Sequence, residues 1–280
     1  RDKIHEVGLK ATILREHILE MTTAAKSGHP GGSMSMADII APLYFFWLKI
    51  DPKNPKWEQR DYFVLAKGHA APALYAAMAE RGFFPVEKLR TLRQLGSALQ
   101  GHPSMRSLPG IEMSTGSLGQ GLSVMVGMSL ALKRVGRNNR VYGLLGDGEC
   151  QEGQVWEAAM SASHYGCGNL VIFVDVNGLQ IDGATKDVMN VEPILDKFKA
   201  FGWATLAIDG HNIMEIVTAL EKAQNINTQP TAIIANTVKG KGVSFMEHQI
   251  CYHGSPITTE QLKSAKCELD ETKGLFQCSI

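Results

Sequence analysis

The sequence predicts an α/β fold, a parallel β-sheet with helices on both faces. Two observations carry that expectation. From residue 140 onward, short β-branched or apolar runs alternate with stretches of helical periodicity, which is the pattern of strand, helix, strand, helix. Two of the strand-like runs also end in glycine-flanked polar turns, and ligands of such sheets bind beyond the carboxyl ends of the strands.

The elements follow in order. Ile4 to Thr22 carries apolar residues at helical spacing, Met36 to Leu48 does so again, and Ala70 to Arg81 is an alanine-rich third helix, with glycine-rich breaks between them. Tyr62 to Ala66 is a short strand-like run before the third helix. Strands are then predicted at Arg140 to Leu145, Leu170 to Val174, Ala204 to Ile208 and Thr231 to Ala235. Helices are predicted at Val155 to Tyr165, Ile194 to Phe201 and Ile213 to Ala223. No repeat, low-complexity tract or Pro/Gly/Ser linker divides the chain, so 1–280 reads as one domain. The tail, 273–280, shows neither helical pattern nor linker composition and reads as a natural chain end.

Composition removes several classes of function. The 280 residues hold 28 basic and 28 acidic side chains, for a net charge of +0, which leaves no broad field for nucleic acid or an anionic membrane. Charged residues make up 20%, below the roughly 25% of typical soluble domains, which hints that part of the surface is hidden against another subunit. Five cysteines without a CxxC pair fit neither a disulfide framework nor a zinc site. With no membrane-length apolar run and a polar start, the expectation is a cytoplasmic protein.

The chemistry is expected at two strand ends. RVYGLL runs into Gly146-Asp147-Gly148-Glu149-Cys150-Gln151-Glu152-Gly153, and LVIFVDV runs into Asn177-Gly178-Leu179-Gln180-Ile181-Asp182-Gly183. If the two strands are neighbours, Asp147 and Asn177 lie side by side at the top of the sheet. A carboxylate, an amide oxygen and a backbone carbonyl form the sparse oxygen set that Mg²⁺ accepts while a diphosphate completes its octahedron. Taken alone, Gly-Asp-Gly is more often a turn; the Asn 30 positions on at the next strand end turns the reading towards a metal site.

With these residues in place, the chain resembles the transketolases. Gly146-Asp147-Gly148 with Asn177 is similar to the thiamin diphosphate signature. Gly28-His29-Pro30-Gly31-Gly32, Lys67-Gly68-His69, Gly101-His102-Pro103, the stretch Ser114 to Gly121 and His253-Gly254 resemble transketolase motifs and stand in the family's order. The resemblance covers nearly the whole chain but only half of a transketolase. It implies the diphosphate-binding N-terminal subunit of a split, two-chain enzyme.

Position by position, the resemblance implies Asp147, the Asn177 side chain and the Leu179 carbonyl as ligands of Mg²⁺, with Ca²⁺ or Mn²⁺ as substitutes. Ile181 would meet the thiazolium ring, Gly116, Ser117 and Leu118 would line the pyrimidine and linker, and Gly146 and Gly148 would lie against the diphosphate. Glu152 would stand at the subunit contact. His29, His69, His102 and His253 would surround the thiazolium carbon and the sugar oxygens as catalytic residues, His69 and His253 also touching the cofactor. The implied reaction moves a glycolaldehyde unit from a ketose phosphate to an aldose phosphate, and imidazoles suit its hydroxyl proton transfers. The implied partner is a C-terminal subunit with the pyrimidine-binding domain and catalytic glutamate, in a heterotetramer.

Two departures from the family are Tyr252, where a tryptophan is usual, and Gly178, where a second asparagine is common. Lys239-Gly240-Lys241-Gly242 lacks the P-loop spacing and reads as the start of a flap, 239–254. His5, His17, His164, His211 and His248 match no motif and read as surface or core residues. Rival readings are a deoxyxylulose phosphate synthase-like thiamin enzyme, a non-catalytic partner subunit, and a Mg²⁺-dependent nucleotide enzyme, for which no basic phosphate clamp is found.

Overall fold

The computed structural model describes residues 2–277. In chain order the strands are β1 (Tyr62–Leu65), β2 (Val141–Gly146), β3 (Leu170–Val176), β4 (Leu179–Gln180), β5 (Gly183–Ala184), β6 (Ala204–Asp209) and β7 (Thr231–Asn236). The helices are α1 (Asp2–Ala25), α2 (Pro30–Ser35), α3 (Ala37–Pro42), α4 (Ala71–Arg81), α5 (Gln120–Arg134), α6 (Gly153–His164), α7 (Thr185–Met189), α8 (Ile194–Ala200), α9 (Ile213–Gln224) and α10 (Thr259–Gln277). Five strands form one sheet in the order β1-β2-β3-β7-β6, with every neighbouring pair parallel. All five carboxyl ends therefore open on the same edge. β4 and β5 are a small antiparallel hairpin standing on that edge after β3.

Successive side chains of a strand point to opposite faces, and β3 shows the result. Phe173 packs into the cluster that holds Leu14 of α1, Ile40 of α3, Leu74 of α4 and Leu220 of α9. Ile172 and Val174 pack into the cluster of Met125 of α5, Val155 of α6 and Phe198 of α8. Truncating a fully buried phenylalanine such as Phe173 costs about 3–5 kcal/mol. The approach of α5 to the sheet depends on Gly143, because a Cβ there would lie 2.1 Å from Met125 Sδ.

All predicted strands are present, to within two residues at each end. Three helical expectations are corrected. Met36 to Leu48 is not one helix: α3 runs into Pro42, whose ring removes a backbone donor, and the chain continues as a π-helical turn over Leu43–Trp47. α5 has no counterpart among the predicted elements. Gly121 and Gly127 weaken its intrinsic preference by about 1 kcal/mol each, and packing of Leu122, Met125, Val126 and Leu132 supplies what propensity does not. The tail is not irregular, since α10 continues through Gln277 with Leu262, Ala265 and Leu269 turned to the core and Lys266 3.3 Å from Glu16 of α1. Residues 278–280 of that tail, and Cys278 with them, lie outside the described residues.

Candidate active site

The register Gly146↔Asp175 makes β2 and β3 neighbours whose ends lie together. Asp147 Oδ1 accepts from Gly148 N at 2.8 Å, and Oδ2 accepts from Gly178 N at 2.7 Å and Thr185 Oγ1 at 3.2 Å. Burial raises the Asp147 carboxyl above its ordinary value, and the neighbouring Asp175 carboxylate adds to the rise. A cation placed here would relieve that charge. Asn177 is oriented from both ends of its amide: Nδ2 donates to Asp175 Oδ2 at 3.3 Å and Oδ1 accepts from Leu179 N at 3.2 Å.

Beneath them Asp175 is fully buried and surrounded by donors. Ser35 Oγ reaches it at 2.6 Å, and Lys67 Nζ and Thr237 Oγ1 also donate to it. Burial alone would raise its carboxyl, but the Lys67 ammonium and the two hydroxyls outweigh burial and hold it below the usual range. Glu149, also buried, accepts from Gly119 N at 3.0 Å and Gly146 N at 3.2 Å, yet burial pushes its carboxyl up to about 7. The loop before α5 is fitted to this carboxylate. Gly119 has φ +83° and a Cβ on it would meet Glu152 Cβ at 2.7 Å, so glycine alone brings that amide to Glu149.

Facing this edge are imidazoles from three separate segments. His29 precedes α2, His69 follows β1 and His253 lies in the segment after β7, with ring centroids 5.2 Å (29 to 69), 5.6 Å (29 to 253) and 5.2 Å (69 to 253) apart. Burial is the leading cause of depression in each. It is reinforced by Arg93 and His102 at His29, down to about 4, by Lys67 at His69, down to about 2, and by Lys239 and His29 at His253, down to about 3. All three are neutral at physiological pH, so each offers one N–H and one lone pair rather than a charge. Lys239, nearly fully buried, donates to Leu179 O and to His253 Nδ1, both at 2.8 Å. His253 therefore carries its proton on Nε2. Burial and Lys67 lower the Lys239 amine to about 8, so it remains an ammonium at pH 7.

One cavity of about 290 Å³ gathers these groups. Of the residues singled out in the sequence, His29, His69, Gly116, Leu118, Gly146, Asp147, Gly148, Glu152, Asn177, Leu179, Ile181 and His253 line it. Ser117 is exposed and does not line it. His102 stands at its rim with part of its ring open to solvent, 6.4 Å from the ring of His29, and partial burial with Arg93 lowers its pKa. The flap segment is packed down, with Val243 and Met246 fully buried and Gly240 N donating to Gly31 O at 3.1 Å. Sequence reasoning missed Lys67, Glu149 and Lys239 as cavity residues. Lys67 and Lys239 each follow a strand end, so the rule that located Asp147 could have found both, and together they put two basic side chains on a cavity for which sequence reasoning found no basic clamp. A larger cavity, about 610 Å³, lies at the opposite edge of the sheet, but its Arg140 and Lys133 are occupied by the backbone carbonyls of Gly168, Ala223, Gln224, Tyr165 and Gly166.

A doubly covered parallel sheet with a carboxylate, an oriented amide and neutral imidazoles at its carboxyl edge defines an α/β cofactor-binding domain. The description "transketolase, thiamine diphosphate binding domain" matches residues 9–276, and the chain belongs to the transketolase family through that domain. It is 47% identical over 262 residues to the 6-deoxy-6-sulfo-D-fructose transketolase subunit SqwG of Clostridium sp. (strain MSTE9), covering 94% of this chain and 95% of the relative. It is 40% identical to an apulose-4-phosphate transketolase subunit of Phocaeicola vulgatus, over 96% of this chain and 95% of that one. The crystal structure of transketolase from Campylobacter jejuni superposes with a TM-score of 0.89 at 34% identity, covering 96% of this chain but 45% of that one. Among the described residues no helix is long and apolar enough to cross a membrane.

Proposed function

We propose that this chain is the diphosphate-holding subunit of a two-chain cytoplasmic transketolase, which moves a glycolaldehyde unit from a ketose phosphate to an aldose phosphate. The observation that carries the reading is the single cavity in which Asp147, Asn177 and Leu179 face His29, His69 and His253. The donor set fits Mg²⁺: Asp147 brings the one full charge, its pKa raised by burial and by the Asp175 carboxylate, and Asn177 and Leu179 bring neutral oxygens. Thiamin diphosphate, when bound, supplies the electron sink for breaking the bond beside the ketose carbonyl.

This chain's residues do the rest. The Gly148 amide and the Lys239 ammonium provide positive ends for a diphosphate. The neutral imidazoles of His29 and His69 meet the sugar hydroxyls with one lone pair and one N–H each, so they relay hydroxyl protons without resting as imidazolium, and His253 presents Nε2–H to a sugar oxygen. Ile181, 67% exposed at the tip of the β4–β5 hairpin, and Leu118, 37% exposed, leave an apolar mouth that this chain does not cover. A partner carrying the pyrimidine-binding domain and its catalytic glutamate fits that mouth, in a two-plus-two assembly. The relatives matched over nearly their full length are themselves named subunits, which supports the split arrangement.

The test is to assay ketose cleavage, and to follow exchange of the cofactor's thiazolium proton by NMR, for the chain alone and with its partner. Alone, it is expected to bind the cofactor weakly, to exchange that proton at the free-solution rate and to show no turnover. Fast exchange or turnover without a partner would refute the split-enzyme reading.

A further inference from the structure

β6 ends at Asp209, and the turn Asp209-Gly210-His211-Asn212 leads into α9. The turn is fixed at both sides. Asp209 Oδ1 accepts from His211 N at 2.9 Å, and Asn212 caps α9 by accepting from Met214 N at 3.1 Å and Glu215 N at 3.3 Å. The His211 ring then bridges two elements. Its Nδ1 lies 2.7 Å from Asp38 Oδ2 on α3, and its Nε2 lies 2.8 Å from the backbone nitrogen of Val238. An amide can only donate, so Nε2 holds the lone pair and the proton is on Nδ1, given to Asp38. Asp38 in turn is held by Arg15 of α1, whose Nη1 donates to Oδ1 at 3.0 Å and whose Nη2 donates to Oδ2.

The backbone that this strut grips leads straight into the cavity. Thr237 N still reaches the sheet, donating to Val176 O at 3.0 Å, whereas Val238 has left it. Its amide needs an acceptor, and His211 provides it. The next residue is Lys239, whose ammonium stands on Leu179 O and His253 Nδ1. A neutral imidazole has one donor and one acceptor fixed across a rigid ring, which is what a bridge from a carboxylate to an amide requires.

We propose that His211 is a positioning residue of the diphosphate site: through Asp38 and Arg15 it fixes the Val238 amide and so sets the Lys239 ammonium toward the place where the anionic diphosphate would lie. The inference rests on the reading of the cavity as a thiamin diphosphate site. The experiment compares wild type, His211→Leu and His211→Gln in the assembled enzyme, titrated with thiamin diphosphate and Mg²⁺. Glutamine keeps one donor and one acceptor; leucine keeps neither. His211→Leu is expected to bind at least about fivefold more weakly, the scale of one hydrogen bond, with His211→Gln recovering most of the loss.

Ile216→Ala, a cavity-forming change at a fully buried α9 position, is the stability control. Its melting temperature is expected to fall at least as far while its cofactor affinity stays at the wild-type value. Wild-type affinity in His211→Leu, or an equal loss in Ile216→Ala, overturns the proposal. Absence of binding by the wild type would instead bring down the reading of the cavity, and the inference with it. Should His211→Leu fail to fold, the imidazole ¹⁵N spectrum of the wild-type chain decides: a protonated Nδ1 with Nε2 accepting from the Val238 amide is expected, and a protonated Nε2 overturns the proposal.

Discussion

The two sides of the cavity are built on opposite principles. The strand-end side is held by backbone: Asp147 is fixed by amides of Gly148 and Gly178, Glu149 by amides of Gly119 and Gly146, and Asn177 by the amide of Leu179. The histidine side has little of this. His29, His69 and His253 come from three segments far apart in sequence, and burial leaves them neutral. A site for an anionic, metal-bound group needs rigid oxygens and amides, whereas uncharged imidazoles, each with one N–H and one lone pair, suit the hydroxyls of a sugar. The difference predicts that mutations on the two sides separate binding from turnover.

The sharpest test of that separation is on the histidine side. His29→Ala or His69→Ala in the assembled enzyme should lower turnover by about a hundredfold, the lower end of what a positioned acid or base contributes. Cofactor affinity and melting temperature should stay near wild type, and exposed His164→Ala should change none of the three. Parallel losses of melting temperature and activity would make His29 and His69 core residues and erase the comparison.

On the strand-end side the order of effects reverses. Asp147→Ala removes the one full charge of the proposed metal ligands, so thiamin diphosphate affinity should fall at least about tenfold, or about 1.4 kcal/mol. Asn177→Ala should cost less because the amide is neutral, and Leu179→Val should cost very little because only its carbonyl takes part. Titration of the three variants checks the ranking, and unchanged affinity in Asp147→Ala would remove the metal assignment.

The two sides also differ in how far the sequence discloses them. Asp147 and Asn177 are local signals, a polar turn after an apolar strand, and parallel pairing of β2 and β3 does the rest. The fold was legible for the same reason, since buried strands leave dense apolar runs. α5 and α10 were not: glycines mask the first, and the second buries only a narrow stripe on a polar helix. Lys67 and Asp175 form a buried pair 108 positions apart, and no local pattern announces such a contact. His211 likewise gains its partners only from tertiary structure, through Asp38 on one side and Val238 on the other. The histidines of the cavity were found by motif, but their depressed proton affinity comes from burial and from Lys67, Lys239 and Arg93, which a motif does not display.

That depressed affinity yields the last expected effect, on stability against pH. Unfolded histidines take up protons around pH 6.5, while in the folded chain His69 does so only near 2, His253 near 3 and His29 near 4. Between those values the unfolded state binds more protons, so these groups contribute stability that is present above pH 6.5 and lost as pH falls. Glu149 works the other way. Its folded carboxyl takes a proton near 7 and its unfolded one near 4.5, so acidification through that window favours the folded state and masks part of the histidine effect. The difference between wild type and His69→Ala removes the masking, because Glu149 is common to both. From pH 6 to 4.5, urea midpoints of the wild type should fall more steeply than those of His69→Ala, by at most about 1.4 kcal/mol per pH unit for one proton. Equal slopes would mean that His69 titrates alike in the folded and unfolded chain, and that the histidine side is not the neutral cluster that sets it apart from the strand ends.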